Sequence, residues 1–76
     1  QEDGALSKRE KALIGLAVAV VVQCPYCIDA FTNSCLESGS NMEQMTEAIH
    51  LASAIRGGAS LIHGIQARNA HDKISM

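Results

Sequence analysis

The chain has 76 residues, with three cysteines, no tryptophan, two aromatic residues (Tyr26 and Phe31) and a formal net charge of −2 from six basic and eight acidic side chains. Its 47% hydrophobic and 18% charged content is too apolar for a disordered chain. The lack of a basic cluster argues against nucleic-acid binding, and the longest apolar run, Ala12 to Val22, falls far short of the roughly 20 residues that cross a bilayer. At this length folding buries only about 60% of the exposed surface, so a single copy is expected to be marginally stable and to need a partner subunit.

The opening residues, Gln1 to Leu6, are polar and acidic and lack a basic-then-apolar signal pattern, so a cytoplasmic setting is expected. Ser7-Lys8-Arg9-Glu10 has the form of a capping box, which predicts a first helix from about Lys8 to Val22. That helix is apolar on nearly every face past its first turn, the pattern of a helix surrounded by others. Cys24-Pro25-Tyr26-Cys27 follows, and proline favours the first helical position because its missing N–H has no helical partner there. Cys24 is thereby placed at an N-cap and Cys27 in the first turn of a second helix. This helix is expected to run to about Ser38, with Gly39 as its left-handed stop.

A third helix can start from either of two overlapping capping boxes, Ser40 with Glu43 or Asn41 with Gln44. Met45, Ile49, Ala52 and Ile55 recur at three- and four-residue steps and predict one buried stripe. Arg56-Gly57-Gly58 interrupts the stripe before Ala59, Leu61, Ile62 and Ile65 resume, so a kink or short break is expected there. His71 to Met76 are expected to fray. With no internal repeat or linker, residues 1–76 read as a single all-α domain.

Chemistry concentrates in Cys24 and Cys27. A C-x-x-C at a helix N-terminus brings two thiols within bonding distance and aims free N–H groups at them, and those groups favour thiolate, the nucleophilic form. The leading reading is a redox dithiol in which one sulfur attacks a peroxide or disulfide and the other resolves the product. The alternatives are half of a zinc site, for which a second C-x-x-C is missing, and two inert buried cysteines. Three cysteines with one close pair do not form the even framework of a secreted disulfide-stapled protein.

Several other candidates carry two readings. Cys35 lies two helical turns beyond Cys27, too far for a disulfide within one helix, and is expected to pack in the core, its alternative being an intersubunit disulfide. Glu10 is expected to complete the capping box; its alternative is a proton acceptor facing the thiols, although it precedes Cys24 by about four turns. Asp29 suits the positive end of the second helix and would raise a nearby thiol's pKa, so it is read as structural. Tyr26 is either a packed aromatic or a hydroxyl donor to a thiolate or peroxide oxygen. His50 and His63 read as satisfied polar groups at a helix interface, His63 being the stronger auxiliary candidate because its stretch is apolar, and His71 reads as exposed.

The block from Arg9-Glu10-Lys11-Ala12-Leu13-Ile14 through Cys24-Pro25-Tyr26-Cys27-Ile28-Asp29-Ala30 to Ala48-Ile49-His50 resembles the carboxymuconolactone decarboxylase family, in its alkylhydroperoxidase D-like branch. Gln23 to Ala30 and Ala54-Ile55-Arg56-Gly57-Gly58-Ala59-Ser60 are most similar to small peroxidase-like proteins associated with arsenosugar biosynthesis. The resemblance implies an all-α helical hairpin that assembles into trimers or hexamers, and a further N-terminal segment. It also implies a peroxidase cycle without a bound cofactor. In that cycle Cys27 attacks a hydroperoxide and becomes sulfenic acid, Cys24 closes the disulfide, and a thioredoxin-like or lipoyl protein reduces it. The N-cap position, read physically, instead favours Cys24 as the leading thiolate.

Three positions depart from that pattern. A histidine commonly stands four residues after the second cysteine, where this chain has Phe31; one often precedes that cysteine, where it has Tyr26; and Val20 stands where the nearest branch would have another. The branch's glutamate falls near Ala12, so Glu10 inherits its role only loosely. Thiol activation then rests on the helix N-terminus and Tyr26. Two rival readings remain: a lactone decarboxylase relative, which needs no dithiol, and a non-catalytic oligomeric binding protein that holds a soft centre such as arsenic(III) through vicinal thiols.

Overall fold

The computed structural model describes residues 3–75 and contains three helices, α1 (Lys8–Val22), α2 (Pro25–Glu37) and α3 (Met42–Ile74), with no strand among the described residues. All three start where local side-chain chemistry dictates. At α1 the Ser7 hydroxyl accepts from the Glu10 N–H at 3.1 Å while the Glu10 carboxylate accepts from the Ser7 N–H at 2.8 Å. Asp3 adds a third acceptor, for the Lys8 N–H at 2.6 Å. These bonds satisfy N–H groups that have no partner inside the helix.

Between α2 and α3 the chain turns through a Schellman motif. Gly39 takes φ +87°, the Ser40 N–H reaches the Cys35 carbonyl at 2.9 Å, and the Gly39 N–H reaches that of Leu36 at 3.3 Å. This turn decides between the two caps available to α3. Ser40 is committed to closing α2 and its side chain is buried, so Asn41 becomes the N-cap and exchanges hydrogen bonds with Gln44 at 2.8 and 3.0 Å.

The helices run up, down and up, with α1 in the middle: it packs against both α2 and α3, which scarcely touch each other. The core is small and consists of Ala12, Leu16, Cys35 and Met45, with Leu13, Val20, Phe31 and Ile49 packed around it. Close approach of α1 and α2 depends on Gly15, because a Cβ there would overlap the Phe31 ring.

Several expectations are corrected. α3 passes through Gly57 and Gly58 without a break and continues helically through His71 to Ile74, while Met76 lies outside the described residues. Two glycines cost about 1 kcal/mol each relative to alanine, and nothing near them in the chain forces the backbone apart, so the good helix formers on either side prevail. The buried stripe of α3 stops at Ala52: Ile55 is 65% exposed, and every residue from 53 to 75 is exposed. Nor is α1 surrounded within one chain, since Ile14, Val18 and Val22 face outward. Between α1 and α3 lies an apolar groove of about 280 Å³, walled by Leu13, Ile14, Val18 and Val21 on one side and by Leu51 and Ile55 on the other.

Replacing Gly15 with alanine sets an overpacking cost of about 1–3 kcal/mol against a helix-propensity gain of about 1 kcal/mol. A net loss of up to about 2 kcal/mol in chemical denaturation is therefore expected for Gly15→Ala, and a stabilised variant would show that Phe31 does not set the helix spacing.

Candidate functional site

Only Gln23 and Cys24 separate α1 from α2. So short a turn requires Gln23 to adopt the left-handed conformation, with φ 60° and ψ 53°, which costs a residue bearing a Cβ about 1–2 kcal/mol. The Cys24 N–H closes the turn on the Ala19 carbonyl at 3.1 Å. Cys24 is thereby fixed as the N-cap of α2, with Pro25 at the first helical position.

The Cys24 and Cys27 sulfurs are joined as a disulfide across Cα atoms 5.2 Å apart, a separation suited to that bond. The Cys27 N–H also points at the Cys24 sulfur, 3.3 Å away. Both cysteines are half-buried, whereas Tyr26 between them is 83% exposed and is therefore not a packed aromatic within this chain. Asp29 lies exposed on the following turn. The site is a dithiol on a surface turn, backed by a helix N-terminus whose dipole and N–H groups favour negative charge on sulfur.

The remaining candidates lie elsewhere. The Glu10 carboxylate is occupied by the capping box at the far end of α1, about 21 Å of helix from Cys24 at 1.5 Å per residue. His50 is exposed on α3. His63, on the exposed half of α3, meets Gln66 at 2.8 Å, so neither His50 nor His63 sits at the helix interface expected for it, whereas His71 is exposed as expected and meets Asp72 at 3.2 Å. Phe31 holds the position one turn after Cys27, and Val20 packs against the core. Among the described residues no group of three or more His, Cys, Asp or Glu side chains could hold a metal ion, so no third ligand joins the two sulfurs.

Cys35 is fully buried beside Ala12, Leu16 and Met45. Burial pushes its thiol's pKa up, and the neighbouring Ser40 hydroxyl pulls the other way. That hydroxyl is itself buried with no oxygen or nitrogen partner among the described residues. Cys35 is thus a neutral, core-packed thiol, chemically unlike the pair at the α2 N-terminus.

A three-helix chain with a dithiol at the cap of its second helix defines a small all-α protein of C-x-x-C type. The chain belongs to the carboxymuconolactone decarboxylase family, whose sequence profile matches residues 1–70. It is 44% identical over 72 residues to "Uncharacterized protein 4 in cox locus" of Paracoccus denitrificans, and the match covers 95% of this chain and 65% of that protein. The chain thus spans just under two thirds of the length of the curated relative it matches. No solved structure matches it. No described helix is long and apolar enough to cross a membrane.

The capping role of Glu10 has a pH signature. The hydrogen bonds from Ser7 hold its carboxyl below the ordinary value of 4.5. Its contribution to stability is therefore present above the unfolded-state pKa and is lost as pH falls through the depressed folded-state value. Glu10→Gln keeps the cap but cannot titrate. The thermal midpoint of the variant is expected to lose part of the acid-side fall seen in the parent, with an unchanged rate of dithiol oxidation; a slower oxidation would assign Glu10 to the chemistry.

Proposed function

We propose that the protein is a thiol-dependent hydroperoxide reductase of the alkylhydroperoxidase D-like kind, working through Cys27 and Cys24. The observation that carries this reading is the pairing of the two sulfurs at the N-cap of α2, on a surface turn where a hydroperoxide or a reductant can reach them. Family membership supports it. The odd cysteine count suits a reducing, cytoplasmic compartment.

In the proposed cycle the Cys27 thiolate attacks one oxygen of the hydroperoxide and the O–O bond breaks. The departing oxygen takes a proton and leaves as alcohol or water, and Cys27 becomes sulfenic acid. The Cys24 thiol then attacks the Cys27 sulfur, expelling water and forming the disulfide. An external dithiol on a thioredoxin-like or lipoyl protein returns two electrons and two protons. Tyr26, exposed between the sulfurs, can donate its hydroxyl hydrogen to the peroxide oxygen. With Phe31 one turn beyond Cys27, activation of the thiol rests on the helix N-terminus.

One observation favours a second order of events. The Cys27 N–H is directed at the Cys24 sulfur, so negative charge is better stabilised on Cys24, and that sulfur would then lead. Both orders use the same disulfide and differ in the single-cysteine variants.

With Cys27 attacking, reduced Cys24→Ser is expected to consume one equivalent of hydroperoxide and to hold a sulfenic acid at Cys27 that dimedone traps and mass spectrometry locates. Cys27→Ser is expected to lose the fast reaction. The reverse pattern would give the attack to Cys24. Slow oxidation of the parent and of both variants would remove the peroxidase reading and leave the vicinal thiols as a binding site for a soft centre such as arsenic(III).

A further inference from the structure

Gln23 stands where a side chain is a disadvantage. Its φ of 60° and ψ of 53° lie in the left-handed region, which glycine enters freely and a residue with a Cβ does not. The chain places glycine at the corresponding point after α2, where Gly39 takes φ +87°. After α1 it keeps glutamine. Among the described residues Gln23 is the one non-glycine residue with a positive φ, and it directly precedes Cys24.

Nothing inside the chain offsets this. The Gln23 N–H closes α1 on the Val20 carbonyl at 3.3 Å, a backbone bond that glycine makes equally well. The side chain is exposed, and its carboxamide has no hydrogen-bond partner among the described residues. A strained residue beside a reactive pair, with its polar group unused by the fold, points to a role in what the pair does.

The carboxamide suits a hydroperoxide. One end accepts a hydrogen bond and the other donates, and the –O–O–H group presents the matching set: its hydroxyl donates and its inner oxygen accepts. Reach is short, because consecutive Cα atoms lie about 3.8 Å apart and the two sulfurs are themselves bonded to each other. No imidazole at Phe31, Tyr26 or Val20 competes for the oxidant.

We infer that Gln23 is a catalytic residue of the proposed peroxidase, on which the inference rests, and that it holds the hydroperoxide through its carboxamide. Its Oε1 accepts from the hydroperoxide O–H and aims the outer oxygen at the attacking sulfur. Its Nε2–H donates to the inner oxygen. As the S–O bond forms and the O–O bond breaks, the sulfur is oxidised, negative charge gathers on the inner oxygen, and the hydrogen bond from Nε2 strengthens. The outer oxygen keeps its hydrogen and becomes the sulfenic acid hydroxyl. The inner oxygen leaves as alkoxide or hydroxide and takes a proton from water. Gln23 thus acts on the oxidant, while the helix N-terminus acts on the thiol.

The test compares fully reduced parent, Gln23→Gly and Gln23→Ala. The readouts are the second-order rate constants for hydrogen peroxide and for a small organic hydroperoxide, and the rate of alkylation by iodoacetamide. Both variants lack the carboxamide, but only glycine relieves the left-handed backbone. Both are expected to react about tenfold more slowly with either oxidant, less than for a donor in a buried site because water competes here. Both are expected to keep the parent's alkylation rate, which reads thiolate and access alone. Gln23→Gly is also expected to unfold at a higher temperature than the parent. A parent faster than free cysteine with both variants equally fast would overturn the role of Gln23 and leave the peroxidase function standing. Slowing in Gln23→Gly alone would assign the effect to the backbone, and alkylation slowed in the same proportion would assign it to the thiols; either result overturns the inference. A parent no faster than free cysteine would overturn the peroxidase function and the inference together.

Discussion

Phe31 presses against the bare backbone of Gly15, and no side chain larger than hydrogen fits between α1 and α2 at that point. With the two helices held so close, the chain must reverse direction in the two residues Gln23 and Cys24. Gln23 absorbs the reversal in a left-handed conformation, and Cys24 is left as the cap of the helix it starts. The dithiol is thus placed by packing one to two turns away from it. The same hairpin buries Cys35 against Ala12 and Leu16, which separates one inert thiol from the two at the surface.

Phe31 also sets the chemical limits of the site. It occupies the helical position one turn after Cys27, where an imidazole could relay a proton, and offers only an apolar ring packed into the hairpin. Activation then depends on what the backbone provides: the α2 N-terminus and the Cys27 N–H directed at the Cys24 sulfur. Electrostatic help from an uncharged helix end is smaller than from an adjacent imidazolium, so the sequence that fixes the spacing of the helices also restrains the reactivity of the thiols.

Elements governed by neighbours in sequence are legible from the residues alone. Both capping boxes, proline opening α2, the left-handed Gly39 and the cap position of Cys24 all follow from contacts within five residues. Gly57-Gly58 misleads because a glycine pair weakens a helix without ending it, and its effect depends on what lies around it. The outward-facing Ile14, Val18, Val22 and Ile55 mislead for a related reason: apolar character says that a face is to be covered, not that the same chain covers it. The Gly15–Phe31 contact leaves no sequence signal, since the residues are 16 apart and neither belongs to a motif. At the site, the two sulfurs and their helix end can be read directly. The exposure of Tyr26 and the distance of Glu10 depend on the path of the hairpin.

On the proposed function, a helix N-terminus with no imidazole beside it makes this dithiol reactive toward hydroperoxides. The most direct test of that claim is the second-order rate constant for oxidation of the fully reduced chain by hydrogen peroxide and by a small organic hydroperoxide, measured beside free cysteine at the same pH. A constant about tenfold or more above that of free cysteine is expected, because the helix end raises the thiolate fraction and orients it. A constant equal to that of free cysteine for both oxidants would contradict the claim.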